Sequence, residues 1–298
     1  MKFGFVGLGQ MGAPMAINLA KRHSVLVFDK NRNAIEGVIR KGAQPVDNLA
    51  QFSKVDVLIT CLPNALALNE ALFGDEIGLF KYLQPDALVV DTSTIERDET
   101  LKIGARLKKA GFRFLDAPVS GMQKRAEDGT LTMMVGGNLQ DLTEVEAALS
   151  SMASKVIHMG DTGSGQLAKL INQLLFNINA AALAEILPMA VKLGIDPKQI
   201  TDVINSGTGR SFATEFFAPN ILKGDFSKGY PMQAAYKDLI SGTNLSAQYT
   251  IPTPVLAAAT STYQQTLLEG HGSKDKGAMI LVYEKLMGVA FRATSSPE

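Results

Sequence analysis

The sequence predicts a doubly wound, mostly parallel α/β sheet followed by an all-helical second domain. Short β-rich runs alternate with helical patterns up to about residue 160, and helical patterns alone follow. With 298 residues, 46% of them apolar and 19% charged, the chain is long enough for two buried cores and too apolar to stay disordered. We place the boundary near residue 162, giving domains 1–162 and 163–298, where glycine and proline punctuation thickens around Gly194, Pro197, Gly207, Gly209 and Pro219.

Residues 2–6, 24–29, 55–61, 87–91, 112–116, 130–135 and 155–158 are short, β-branched or aromatic runs and read as strands. Between them, residues 12–22, 33–41, 96–109 and 140–152 repeat apolar positions at helical spacing. A long helix is expected from about residue 164 to 193. Its apolar stretch from 174 is interrupted by Asn177, Asn179, Glu185, Pro188 and Lys192, which suits a buried helix better than a membrane span. A further helix at 197–205 follows, and residues 294–298 read as a frayed tail.

Lys+Arg and Asp+Glu both total 29, so no global field draws the chain to nucleic acid or anionic lipid, and neither partner is expected. A lone cysteine, Cys61, and three scattered histidines offer no disulfide framework and no metal-ligand spacing; no metal is expected. The first residues, apolar but broken by glycines and without a small-residue cleavage site, do not read as a signal peptide, so a cytoplasmic location is the expectation.

Gly7-Leu8-Gly9-Gln10-Met11-Gly12 places G-x-G-x-x-G directly after a strand and at the head of a helix, the Rossmann-type setting for a dinucleotide. Gly7 permits the tight turn, Gly9 admits a pyrophosphate, Gly12 lets helix and strand pack closely, and the helix-start amides face the anion. Asp29 ends the next strand, placed to accept from a ribose 2′-hydroxyl and to repel a 2′-phosphate, which favours NAD. Lys30 and Arg32 offset part of that repulsion, so NADP stays open. In a doubly wound sheet ligands lie beyond the carboxyl ends of the strands, which singles out Leu62-Pro63-Asn64, Ser93-Thr94 and Ala117-Pro118-Val119-Ser120-Gly121. Cys61 reads as a buried strand-end residue, not a nucleophile, since no histidine has reason to be near it.

These motifs resemble the β-hydroxyacid dehydrogenases, the family of 3-hydroxyisobutyrate dehydrogenase and tartronate semialdehyde reductase, nearly end to end. Gly7–Gly12 with Ala13-Pro14-Met15 is similar to its cofactor signature. Asp116-Ala117-Pro118-Val119-Ser120-Gly121, with Gly129-Thr130-Leu131 and Met134-Val135-Gly136-Gly137, resembles its substrate motif. Gly163-Ser164-Gly165-Gln166-Leu167-Ala168-Lys169-Leu170-Ile171-Asn172 resembles its catalytic motif, and Lys237-Asp238-Leu239 its K-D-L segment. The resemblance implies that Leu62 and Pro63 line the adenine–ribose side of the groove, that Thr94 sits near the nicotinamide ribose and that Lys237 closes over the cofactor. Read without it, Pro63 ends a strand, Thr94 caps the helix that follows and Lys237 is a solvated charge. Two departures stand out: Met122 and Arg125 replace glycines of the family pattern, and Gln173 stands where Asn is common.

Hydride exchange with an alcohol needs a partner for the hydroxyl proton. Lys169 is the candidate, because burial near a helix start would lower an ammonium pKa toward the operating range. Asn172 shares the helical face and would bond substrate or fix the lysine; Gln173 shares that assignment. Ser120 and Gly121 would hold the substrate carboxylate and so place the reacting carbon. Arg210 would pair with a second carboxylate, and Asp238, beside Lys237, is a further candidate substrate contact.

The expectation is an NAD-dependent oxidoreductase, NADP being possible, that acts on a short β-hydroxyacid and its semialdehyde as a homodimer or homotetramer. An NADPH-linked reductase of glyoxylate or succinic semialdehyde is the alternative. An imine reductase, and a non-catalytic nucleotide-binding module, are weaker readings because Lys169, Ser120 and Gly121 are all present.

Overall fold

Period-two alternation explains the architecture of the first unit. In a strand, successive side chains point to opposite faces. Phe3, Phe5, Val57, Ile59, Leu88 and Val90 lie in one apolar core, whereas Val6, Leu58 and Val89 lie in another. All are buried, so the sheet is covered on both faces, as a parallel sheet requires.

The structure is a computed structural model and describes residues 1–293; the tail read at 294–298 lies outside the described residues. The chain divides into two compact units, Met1–Lys169 and Leu170 onward.

The first unit opens with β1 (Phe3–Val6), α1 (Gly12–Ala20), β2 (Val25–Phe28), α2 (Arg32–Ile39), β3 (Gln44–Pro45), β4 (Val57–Thr60) and α3 (Ala65–Phe73). It continues through β5 (Leu88–Asp91), α4 (Arg97–Lys109), β6 (Arg113–Asp116), β7 (Val119–Ser120), α5 (Met122–Glu127), β8 (Leu131–Gly137), α6 (Leu139–Leu149) and β9 (Ala153–Gly160). The strand order β3-β2-β1-β4-β5-β6 is the doubly wound one, every neighbouring pair in it parallel. Beyond β6 the sheet turns mixed: β8 runs antiparallel to β6 and β7 and parallel to β9. The strand order reverses between β1 and β4, and a dinucleotide crevice is expected there.

Four elements differ from the sequence expectation. Helix α3 is absent from it although Leu68, Ala71 and Leu72 recur at helical spacing and are buried; the helix starts at Asn64, whose Oδ1 accepts from Ala67 N at 2.8 Å. β3 and β7 are two residues each, too short to leave a pattern, and α5 is a six-residue turn of helix.

The predicted long helix is α7 (Ser164–Lys192), and its first turns, as far as Lys169, belong to the first unit. By length and composition it is the one described helix capable of crossing a membrane. In the second unit it is followed by α8 (Pro197–Ser206), α9 (Phe212–Leu222), α10 (Met232–Gln248), α11 (Pro254–Leu268) and α12 (Ile280–Met287). Ala180, Ala181, Leu183, Ala184 and Leu187 of α7 enter this unit's core with Phe217, Leu239 and Tyr263. The expectation of a buried helix holds for this face only, since 44% of its most apolar window is buried. α8 starts on Asp196, whose side chain accepts from Gln199 N, with Pro197 at the first helical position.

Candidate active site

The glycine turn after β1 has the geometry its spacing implies. Gly7 has φ +94°, and a Cβ there would lie 2.2 Å from the Cys61 carbonyl oxygen. A Cβ on Gly12 would lie 1.9 Å from Gly7 O, so α1 packs directly on the turn. At Gly9 nothing lies within 4 Å of an added Cβ, which leaves the outer wall of the turn open to a ligand. No side chain caps α1, and a helix start without a cap has amides to offer an anion. Asp29, just past β2, accepts from Leu8 N (2.6 Å) through one carboxylate oxygen and from Asn31 N (2.7 Å) through the other. Each oxygen keeps a lone pair for a ribose hydroxyl. An open, uncapped, glycine-lined helix start beside a held carboxylate is a fit for a dinucleotide. Leu8 is buried, Met11 half-buried, and Lys30 exposed; Gln10 is exposed and donates to Gln123 Oε1 at 2.7 Å.

At the ends of β4 and β5 the side chains form one polar network. Thr60 Oγ1, Ser93 Oγ and Ser93 N all donate to Asp91 Oδ1, at 2.8, 2.5 and 3.1 Å. Ser93 Oγ also accepts from Leu62 N at 2.8 Å, which ties the Leu62-Pro63 segment to β5. Burial pushes the Asp91 carboxyl up to about 6, against the pull of its Ser93 and Thr60 hydrogen bonds. Burial likewise pushes the Cys61 thiol up to about 12, with the Asp91 charge adding to it; a thiol so raised is no nucleophile at neutral pH. Thr94 is half-buried, and the cap position of α4 falls at Glu96, so Thr94 does not cap that helix.

Asp116, at the end of β6, is buried and accepts from Gly163 N (2.7 Å) and Gln166 N (2.9 Å), the amides that open α7. Desolvation raises its pKa and those bonds oppose the rise. Lys169, one turn on, is only 8% exposed. Ser120 ends β7, paired with Thr132. Gly121 has φ +144°, and Met122 sits in the left-handed region at φ 60°, which costs a residue with a Cβ roughly 1–2 kcal/mol. The family's glycine at this position has a backbone reason, and here an exposed methionine occupies it. Arg125, which departs from that pattern together with Met122, donates to Thr130 O.

Within the second unit, Asn172 is exposed whereas Gln173, half-buried, donates to Asp238 Oδ2 at 3.4 Å. One turn along, Lys276 donates to Asn177 Oδ1 (2.5 Å) and lies 4.1 Å from the Phe176 ring centroid, a cation–π contact in the core. Tyr263 Oη and Asn177 Nδ2 are buried without a hydrogen-bond partner. Burial, with the Asp238 charge behind it, pushes the Tyr263 phenol well up. Lys237 is exposed. Arg210, also exposed, is ion-paired to Glu215 at 2.5 Å. Among the described residues no His/Cys/Asp/Glu group is placed to hold a metal ion.

The comparisons with known proteins decide the family. Residues 2–160 match the model described as the NAD binding domain of 6-phosphogluconate dehydrogenase, and residues 163–283 that of the NAD-binding of NADP-dependent 3-hydroxyisobutyrate dehydrogenase. The chain is 36% identical over 293 residues to 2-(hydroxymethyl)glutarate dehydrogenase of Eubacterium barkeri, covering 97% of each. The chain belongs to the β-hydroxyacid dehydrogenase family. It is likewise 36% identical to the 3-sulfolactaldehyde reductase of Escherichia coli, over 93% of each chain. Among solved structures, Mycobacterium tuberculosis 3-hydroxyisobutyrate dehydrogenase with L-serine superposes with TM-score 0.83 at 31% identity, covering 94% of this chain and 98% of that one. This family member is therefore an NAD(P)-dependent oxidoreductase, as its motifs imply.

Sequence reasoning passed over Asp91, the Gln166 side chain and Lys276. Asp91 does carry a signal, a carboxylate closing the wholly apolar strand Leu88-Val89-Val90. Lys276 has none, since nothing in its neighbours foretells the meeting with Asn177, 99 positions away in the sequence.

A pH test follows from Asp91. A carboxyl raised in the folded state binds its proton there while the unfolded chain has lost it, so its contribution to stability falls as pH rises from about 4 to about 6. Asp91→Asn keeps an acceptor for Thr60 and Ser93 and cannot titrate. Urea unfolding should show the variant gaining on the wild type across that window; a constant difference would mean Asp91 is not protonated in the native state.

Proposed function

We propose that this dehydrogenase prefers NAD and exchanges hydride with a short β-hydroxyacid and its semialdehyde, with Lys169 as the general acid/base. The observation that carries the reading is the buried placement of Lys169 in the first turns of a helix pinned to the strand end by Asp116. When bound, the nicotinamide accepts or returns the hydride. Lys169 Nζ takes the hydroxyl proton on oxidation and returns it to the carbonyl oxygen on reduction. The Ser120 hydroxyl and the Gly121 amide orient the acid group. Gly7, Leu8, Gly9, Gln10, Met11 and Gly12 bind the pyrophosphate, Asp29 the adenine-side ribose, and Leu62, Pro63 and Thr94 complete this unit's cofactor contacts. The relatives named for 2-(hydroxymethyl)glutarate and 3-sulfolactaldehyde, one a dicarboxylic acid and the other a sulfonate, support an anionic substrate.

We place the enzyme in the cytoplasm as a homo-oligomer, dimer or tetramer. Ile171, Leu175, Ile186, Met189 and Leu193 are exposed along α7 and just past its end, an apolar stripe that a second copy would cover. Light scattering should give a mass of at least twice 31.9 kDa; a monomer at micromolar concentration ends that part of the proposal.

Lys169→Met should lower kcat by about 10²- to 10⁴-fold while NADH affinity by fluorescence titration holds, the range expected for a positioned acid/base. Turnover within twofold of wild type would remove Lys169 from the mechanism. Asp29→Ala should lower the ratio of kcat/KM for NAD to that for NADP by about tenfold or more, equivalent to about 1.4 kcal/mol of discrimination; an unchanged ratio would mean the ribose is read elsewhere.

A further inference from the structure

Gln166 is the third residue of α7, only 3% exposed, and both ends of its side-chain amide are in use. Nε2 donates to Ser93 O at 2.7 Å, and Oε1 accepts from Ile95 N at 3.3 Å. The two bonds straddle Thr94. An amide that must donate at one end and accept at the other has a single orientation, so the side chain acts as a short rigid strut across the loop that follows β5. Its main-chain amide meanwhile goes to Asp116 Oδ2. The loop is held from its far side as well, because Ser93 Oγ bridges Asp91 and Leu62 N. Lys169 is three residues beyond Gln166, on the same side of the helix.

The topology says what the strut is for. With Asp29 at the end of β2 and the glycine turn at the end of β1, a dinucleotide running across the crevice has its adenine half toward β2 and its other half toward the end of β5. The loop braced by Gln166 is therefore on the reactive side.

We propose that Gln166 is a positioning residue: its side chain fixes the Thr94 loop relative to the helix turn bearing Lys169, and so keeps the nicotinamide half of the cofactor in register with the proton-transfer group. This rests on the function proposed above. Gln166 touches no reacting atom; it acts through the loop on one side and the helix on the other.

Two variants of similar size test it. Gln166→Met removes both bonds, and Gln166→Glu keeps the acceptor for Ile95 N while losing the donor to Ser93 O. Calorimetric affinities for NADH and for ADP, which lacks the nicotinamide half, are compared with kcat. Gln166→Met should weaken NADH by about tenfold, the worth of roughly one hydrogen bond, leave ADP within twofold of wild type, and lower kcat by about 10²-fold, as a small misplacement does. Gln166→Glu should show the same NADH-selective loss to a smaller degree. The proposal is overturned if NADH and ADP weaken equally, which marks general loosening of the unit, or if either variant matches wild type in both NADH affinity and kcat. Should Gln166→Met not fold, Gln166→Glu decides alone by the same criterion. A wild-type enzyme that fails to bind NADH at all would sink the function proposal instead, before any variant is compared.

Discussion

One buried carboxylate organises the chemistry-bearing end of the first unit. Asp116 closes β6 and receives the amides of Gly163 and Gln166, so the start of α7 is fastened to the strand end by charge-assisted hydrogen bonds. The positive end of the helix offsets the cost of burying that charge. Space around it explains two glycine motifs at once. A Cβ on Gly136 would come within 2.5 Å of Asp116 Oδ1, and one on Gly165 within 2.6 Å of Asp116 O. Side chains at either position would push the helix off its anchor, and Lys169 with it.

The first unit holds the glycine turn, Asp29, the Leu62-Pro63 and Thr94 loops, the Ser120-Gly121 turn and Lys169. Each hangs from the carboxyl end of a strand or from the helix that Asp116 pins there. The second unit contributes a different kind of chemistry: a core whose buried polar residues include Asn177, Asp238, Asp275, Lys276 and Glu284. Burying a lysine is costly unless its proton donors find acceptors, and the Asn177 oxygen and the Phe176 ring supply part of what it needs.

Much of the sheet was legible because parallel strands with both faces buried are written as unbroken apolar runs, and the glycine turn because three glycines at fixed spacing each answer a separate close approach. Asp29 was legible from its place at the end of a strand. What stayed hidden depends on contacts between distant positions. The carboxylate closing an apolar strand marks Asp91, but the network it serves shows only when Thr60 and Ser93 close on it. Helical spacing put both Asn172 and Gln173 near the face of Lys169, yet only the fold shows the first exposed and the second turned to Asp238. The departure at Met122 was visible as a change of letter; that it falls at a positive φ was not.

The sheet ends differently on its two sides. β3 is a two-residue strand that finishes in Pro45, which has no N–H to offer, while β9 meets β8 through two register shifts that interrupt its ladder. Neither border is a long flat row of free backbone groups, so a foreign chain has no template to extend. A protein built this way can be kept at high concentration without its folded molecules zipping together margin to margin, whatever association its helices choose.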